Sequence, residues 1–321
     1  MSDFGQHLTK GRAVTRRRDP VSARWRAALP LTALVAVTAV QGAELEPTPA
    51  ETVVAAPWFD PRVDAGYTYD KNVSRGSASQ DRLADQSIQI DASNGWIFPF
   101  AGHTRALLTL AGGAERFESY PGLSRLFGSG IAELQYRGSG AFGEPIFSLF
   151  ARFTGEQYES HLRDGGRYAI GVTVRKPITD RITASAAAAH GERTAVSSVF
   201  AGRDESLRLN LDYVASATGT IYLTAEFRRG DTFSSGHPSL ASLDVAKVFA
   251  ADDAFLGAGL TAYRFEARSV LATLGYNLQL GPGAFDLAWM RAQSTSVQAP
   301  ALTGKLHYVT DQFSLYYLLR F

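Results

Sequence analysis

The last sixteen residues carry the most restrictive pattern in the chain. From Leu306 to Phe321, the odd positions Phe313, Leu315, Tyr317, Leu319 and Phe321 are all apolar or aromatic, while Gln312, Ser314, Tyr316, Leu318 and Arg320 take the alternate ones. A period of two puts every second side chain on one face of an extended strand, so one face here is greasy to the final residue. In a soluble sandwich that face would be a core. In a membrane barrel it is the outer wall, and the polar face lines the lumen.

The same alternation recurs from Trp58 onward, and no stretch offers a sustained apolar stripe of helical period. It predicts twelve strands at about 61–70, 86–98, 103–117, 130–138, 145–158, 167–176, 181–194, 205–215, 219–231, 263–280, 283–296 and 306–321. Thirty glycines, thirteen tyrosines and nineteen phenylalanines against two methionines suit strands and tight turns better than helices. The connections alternate in length. Short ones fall at 99–102, 138–144, 177–180, 216–218 and 281–282, and long ones at 71–85, 118–129, 159–166, 195–204, 232–262 and 297–305. Short turns on one side, long loops on the other and an even strand number are the pattern of an all-β, transmembrane antiparallel up-and-down barrel. If residues 243–250 and 255–264 were also embedded, the count would become fourteen.

The N-terminal segment is set apart from the fold. Arg16, Arg17, Arg18, Arg24 and Arg26 precede a fourteen-residue apolar run from Ala27 to Val40. That run is too short to cross a ~30 Å hydrocarbon core as a helix and reads as a secretory signal peptide over 1–43. Cleavage after Gly42 would put Val40 at the minus-three position, and cleavage after Ala43 would put Gln41 there. Residues 44–57, with Pro47, Pro49 and Pro57, read as a periplasmic lead-in, and 58–321 as the barrel. Export removes seven basic and two acidic residues, leaving 25 against 29. That mild acidity argues against nucleic acid as a partner.

Together, the signal segment, the alternating strands and the terminal strand closing on an aromatic residue resemble the Gram-negative outer-membrane β-barrels. The assembly signal of that family is a C-terminal Phe with apolar residues at alternate positions before it, here Phe321, Leu319, Tyr317, Leu315 and Phe313. The resemblance implies passage through the periplasm, folding by the barrel assembly machinery and residence among outer-membrane lipid, and it identifies no solute. Two fragments, Tyr67-Thr68-Tyr69-Asp70-Lys71-Asn72-Val73 and Arg228-Arg229-Gly230-Asp231-Thr232, are similar to pieces of other proteobacterial barrels and are too short to carry a function.

Strand parity directs Arg105, Glu133, Gln135, Arg137, Arg152, Glu156, Arg175, Arg208, Asn210, Asp212, Glu226, Arg228, Asp286 and Arg320 into the lumen, with Asp64 and Asp91. Seven acids thus face seven arginines. Such a set either creates a transverse field that favours small charged solutes or pairs internally to fill the barrel, because buried charges need partners. The 232–262 loop is longer than an unstructured loop usually is, and it reads either as a constriction folded into the pore or as a solvated hairpin.

Among aromatics, only Tyr222 and Tyr316 point inward on this parity, which gives no stacking slide for sugars. Trp58, Trp96, Phe98, Phe100, Tyr136, Tyr213, Tyr317 and Phe321 fall near strand ends, where interfacial rings sit. The chain has no cysteine and no two histidines at ligand spacing, so neither a metal nor a cofactor is expected. An outer-membrane lipid hydrolase would need a strand-borne His-x-Ser pair. His190 lacks the serine, and His237-Pro238-Ser239 sits in the long loop. The sequence therefore favours a narrow channel for small charged solutes over a closed barrel whose loops bind a partner or assist export, with a hydrolase third.

Overall fold

The computed structural model describes residues 60–100, 103–138, 143–300 and 302–321; the expected signal segment, the lead-in and Trp58 lie outside these residues. The strands are β1 Asp60–Asp70, β2 Asp85–Pro99, β3 Thr104–Phe117, β4 Arg125–Arg137, β5 Ile146–Tyr158, β6 Gly165–Thr179, β7 Ile182–Ala195, β8 Gly202–Val214, β9 Gly219–Gly236, β10 Val248–Ala251, β11 Thr261–Leu280, β12 Gly283–Ser296 and β13 His307–Arg320. One short helix, α1, spans Leu240–Val245.

Twelve of these strands close a ring in which each pairs antiparallel with the next. β9 joins β11 directly, with Leu223 opposite Leu274. β13 returns to β1, with Tyr317 opposite Ala65. Closure leaves no edge carrying unpaired amides, the condition for a sheet to sit in lipid. β10 pairs only with the loop-side end of β11, Val248 opposite Arg264, and Phe255 lies in a 3-10 turn. The 243–264 region therefore adds no embedded strands, and the barrel count is twelve.

The strands lie where the alternation predicts, with two clear differences: β4 begins at Arg125 rather than 130, and β9 runs to Gly236 rather than 231. Both extensions rise on the loop side. In β4 the outward positions there include Gly128 and Gly130, so the apolar signal that marks a lipid-facing strand is missing although the ladder continues.

The outer wall is apolar and exposed, as in Ile88 and Ile90 on β2, Leu149 and Phe153 on β5, Ile170 and Val172 on β6, and Leu207, Leu209 and Leu211 on β8. The assembly-signal residues Phe313, Leu315, Tyr317 and Leu319 continue it on β13, and Phe321 is exposed beyond that strand. Rings of Phe98, Phe100, Tyr136 and Tyr213 project outward toward the short-turn side. An apolar outward face on every strand means that this barrel is solvated by hydrocarbon.

Two inward tyrosines lie flat over glycines on neighbouring strands. Tyr316 covers Gly66 and Tyr222 covers Gly275; a Cβ on Gly275 would fall 2.0 Å from Tyr222 Cζ. The missing side chain is what lets the Tyr222 hydroxyl reach Asp286 at 2.8 Å. Gly275→Ala is expected to lower barrel stability by about 1–3 kcal/mol through overpacking, measured as a lower urea midpoint in lipid vesicles. Gly95→Ala serves as the tolerated control, because its nearest neighbour would be 3.9 Å away. Equal midpoints for the two variants would refute the tyrosine-over-glycine account.

Candidate functional site: the charged lumen and its cap

The register places the expected lumenal residues on the inner face, and it brings them together in three groups. Toward the short-turn side, Arg105 and Arg137 stand at the ends of β3 and β4 and Arg175 near the end of β6, with Arg152 mid-way along β5. Arg105 Nε donates to Gln135 at 2.7 Å, and Gln135 in turn donates to Glu133 at 2.9 Å. Beside Glu133 on β4, the carboxylates toward this side are Asp212 on β8, Asp286 on β12, and the cross-strand partners Asp64 and Asp91 on β1 and β2. Asp286, Asp212 and Asp91 are buried, whereas Arg105, Arg137, Arg152 and Arg175 are partly accessible. Arg320 ends β13 and is exposed at the short-turn rim.

Mid-barrel, Arg208 and Arg228 clamp one buried carboxylate. Arg208 donates to Glu226 Oε2 at 3.0 and 2.7 Å, and Arg228 donates to Oε1 at 3.1 and 2.6 Å. These are paired forks, the strong geometry for guanidinium and carboxylate.

On the loop side a chain of contacts crosses β2 to β7. Ser87 donates to Glu115 at 3.0 Å; Arg125 binds Glu115 at 2.9 Å and also Glu156. Glu156 further accepts from Arg167 at 2.9 Å and Tyr158 at 3.2 Å, with Arg193 at 3.9 Å. Glu115, Arg125, Arg167 and Arg193 are additions to the expected set. Glu115 and Arg167 share inward parity with Arg105 and Arg175 and were legible. Arg125 fell in a predicted loop, where parity has no meaning. The lumen is also richer in rings than expected, since the register turns Phe127, Phe150, Tyr158 and Tyr308 inward beside Tyr222 and Tyr316.

The long connection between β9 and β11 is neither a constriction inside the pore nor a solvated hairpin. It leaves one side of the ring and reaches the β3–β4 loop, six strands away and therefore diametrically opposite, where Ala254 packs so tightly on Gly122 that a Cβ there would lie 2.5 Å from Ala254 Cα. On the way His237 meets Asp81 at 2.7 Å, Asp253 accepts from Ser160, and Asp244 accepts from Thr303 at 3.1 Å. A segment that touches loops all around the rim must cross the mouth, so it is a cap.

The buried apolar clusters lie in this cap. Leu123, Phe255 and Leu260 pack with Val73, Leu83 and Tyr120; Val199, Phe200 and Ala262 pack with Phe233 and Val248. At the centre is Arg163, which donates to Asp252 at 2.7 Å with its guanidinium 4.1 Å from the Phe200 ring centre. Asp252 also accepts from Ser235 at 2.5 Å and from the Ala254 amide at 3.2 Å. In the β1–β2 loop, burial disfavours the Arg75 charge, yet the Asp70 carboxylate 2.7 Å away holds its pKa above the ordinary arginine value. None of these loop partners could be read from the sequence, because they join segments with no common periodicity.

The histidine and serine of the His-x-Ser spacing point to separate structural partners. His237 binds Asp81, whereas the Ser239 hydroxyl accepts from the Ser242 amide at 3.2 Å and caps α1.

No protein-family model and no curated protein matches the chain. Solved structures do match. An outer membrane channel from Pseudomonas putida F1 aligns at TM-score 0.51 and 10% identity, over 87% of this chain and 100% of that one. The DcaP outer membrane channel of Acinetobacter baumannii aligns at TM-score 0.40 and 8% identity, over 82% and 96%. The translocator domain of the autotransporter NalP from Neisseria meningitidis aligns at 0.39 and 12%, over 82% and 88%. The fold is that of an outer-membrane β-barrel. At these identities the likeness is one of architecture, and the lumen has to be read on its own.

Proposed function

We propose that the protein is a narrow channel for small charged solutes in the outer membrane of a Gram-negative bacterium, with its lumen covered on the outside by the β9–β11 cap. The reading rests on one observation: four arginines, Arg105, Arg137, Arg152 and Arg175, line the inner face of β3 to β6 and are partly accessible. Arg208 and Arg228 have a structural task instead, since both hold the one buried carboxylate of Glu226. Arginines left in reach of water attract anions and orient dipolar solutes in the low-dielectric surroundings of the wall. The P. putida barrel is described as an outer membrane channel, which supports the reading. His237 and Ser239 serve cap structure, so we assign transport rather than catalysis.

Planar-bilayer recording of the purified protein tests this, after a heated-versus-unheated gel shift shows it folded. Discrete conductance steps with anion preference are expected. In Arg137→Gln/Arg175→Gln the anion-to-cation permeability ratio should fall about fivefold, from about 1 kcal/mol for charges several ångströms from the ion path at intermediate dielectric. An unchanged reversal potential in that double variant would defeat the proposal.

A further inference from the structure

The outside of the barrel is not uniformly convex. Over Ala188 and Ala189 of β7 the wall dips into a trough between the taller side chains of β6 and β8, where Ile170 and Val172 form one bank and Leu207 the other, extended by Phe227 on β9. The groove is shallow and open along the wall, with about 660 Å³ of space over its floor. It faces hydrocarbon along most of its length, and at its loop-side end it meets His190, Glu205 and Arg229.

That polar end holds an unusual juxtaposition. Arg229 on β9 and Arg268 on β11 are direct cross-strand partners with outward parity, so two guanidiniums stand side by side on the wall. Like charges directly opposite in a ladder are destabilising. Arg229 faces Glu205 directly across the β8 ladder and has Glu266 at 3.5 Å, whereas Arg268 has no acid within salt-bridge distance among the described residues. A further acid on this side, Glu192, is held by Arg203 at 3.2 Å. An anion seated between Arg229 and Arg268 would remove the repulsion, and a phosphate offers several acceptor oxygens to two planar forks.

We propose that this groove binds the phosphorylated glycolipid of the outer leaflet, lipid A, with one acyl chain lying over the β7 alanines and a phosphate held between Arg229 and Arg268. The two halves of the site match the two halves of such a molecule: a dry trough at the depth of the chains and paired cations at the level of the headgroup. The groove is on the opposite face of the wall from the lumen, so this site is independent of what the channel carries.

Native mass spectrometry of the delipidated full-length protein in detergent tests it, by titration with hexaacylated lipid A, with the same lipid after removal of its phosphates, and with phosphatidylcholine. A one-to-one lipid A adduct is expected, at least about tenfold tighter than the dephosphorylated lipid, as one charge-assisted contact would give. Arg229→Gln and Arg268→Gln should each lose that preference. Ala188→Leu, which fills the trough, should weaken both forms of the lipid. All three variants lie on the outer surface, and each is checked for a wild-type heat-dependent gel shift. Equal affinity for phosphorylated and dephosphorylated lipid, or indifference to Ala188→Leu, overturns the proposal. So does a dimer that Ala188→Leu dissociates, which would give the groove to a second copy of the chain.

Discussion

Asp252→Ala is expected to raise the open probability of the channel by about a hundredfold or more. Asp252 is buried and is the acceptor that ties the cap to Arg163 of the β5–β6 loop, to Ser235 at the end of β9 and to the turn at Ala254. Removing one member of a buried ion pair costs about 3–5 kcal/mol because the other charge is stranded, and each 1.4 kcal/mol is about tenfold in an equilibrium. The stranded group here is Arg163, which is itself buried beneath Phe200, Phe233 and Phe255 and can regain water only if the cap lifts. The barrel wall is untouched, so the folded gel shift should persist. Single-channel recording at fixed voltage reads the effect. Unchanged gating in Asp252→Ala, in a protein whose conductance rises once residues 240–258 are deleted, would show that the latch lies elsewhere. Silence in the deletion variant as well would count against a channel.

The second large effect concerns the wall itself. Glu156 is the acceptor for Arg125, Arg167 and Tyr158 and lies near Arg193, and its side chain is only 2% exposed. In Glu156→Gln, Arg125 keeps Glu115, but Arg167 and Arg193 lose their carboxylate. A stability loss of about 3 kcal/mol is expected, the lower range for breaking a buried pair, seen as a lower urea midpoint in vesicles. Glu156→Gln/Arg193→Gln should recover part of that loss, because removing both partners relieves the stranded charge. Additive losses in the two single variants and their combination would mean that Glu156 and Arg193 do not interact.

The parts of this protein that were legible in its sequence are those solvated by lipid. Hydrocarbon demands an apolar residue at every outward position, so Phe313 to Phe321, Leu207 to Tyr213 and Tyr168 to Val174 declare both strand and face. Wherever the wall rises beyond the membrane the demand lapses. That is why the start of β4 carries no strand signal and Arg125 no parity, and why the last five residues of β9 are silent in the alternation. Glycine at 230 has a similar explanation. Its φ is 151°, and a Cβ would lie 2.2 Å from the Arg203 carbonyl, at the point where β9 stops pairing with β8 and continues upward with β11 alone. The sequence showed the fragment around it, but not that divergence. The cap was illegible for a further reason: Arg163, Asp252 and Phe200 meet only after twelve strands have brought their loops to one rim.

The seam of the ring has a consequence for how such a chain can be made. Thr68 and Tyr316, whose hydroxyls meet across it, are 248 positions apart, so the closing ladder is the longest-range strand pairing among the described residues. Loop closure on that scale is slow, and until it happens β1 and β12 or β13 offer raw edges on which another chain can template. The seam is thus the step most exposed to mispairing, and the apolar terminal strand that completes it is the natural place for a folding catalyst to hold the chain until its partner arrives.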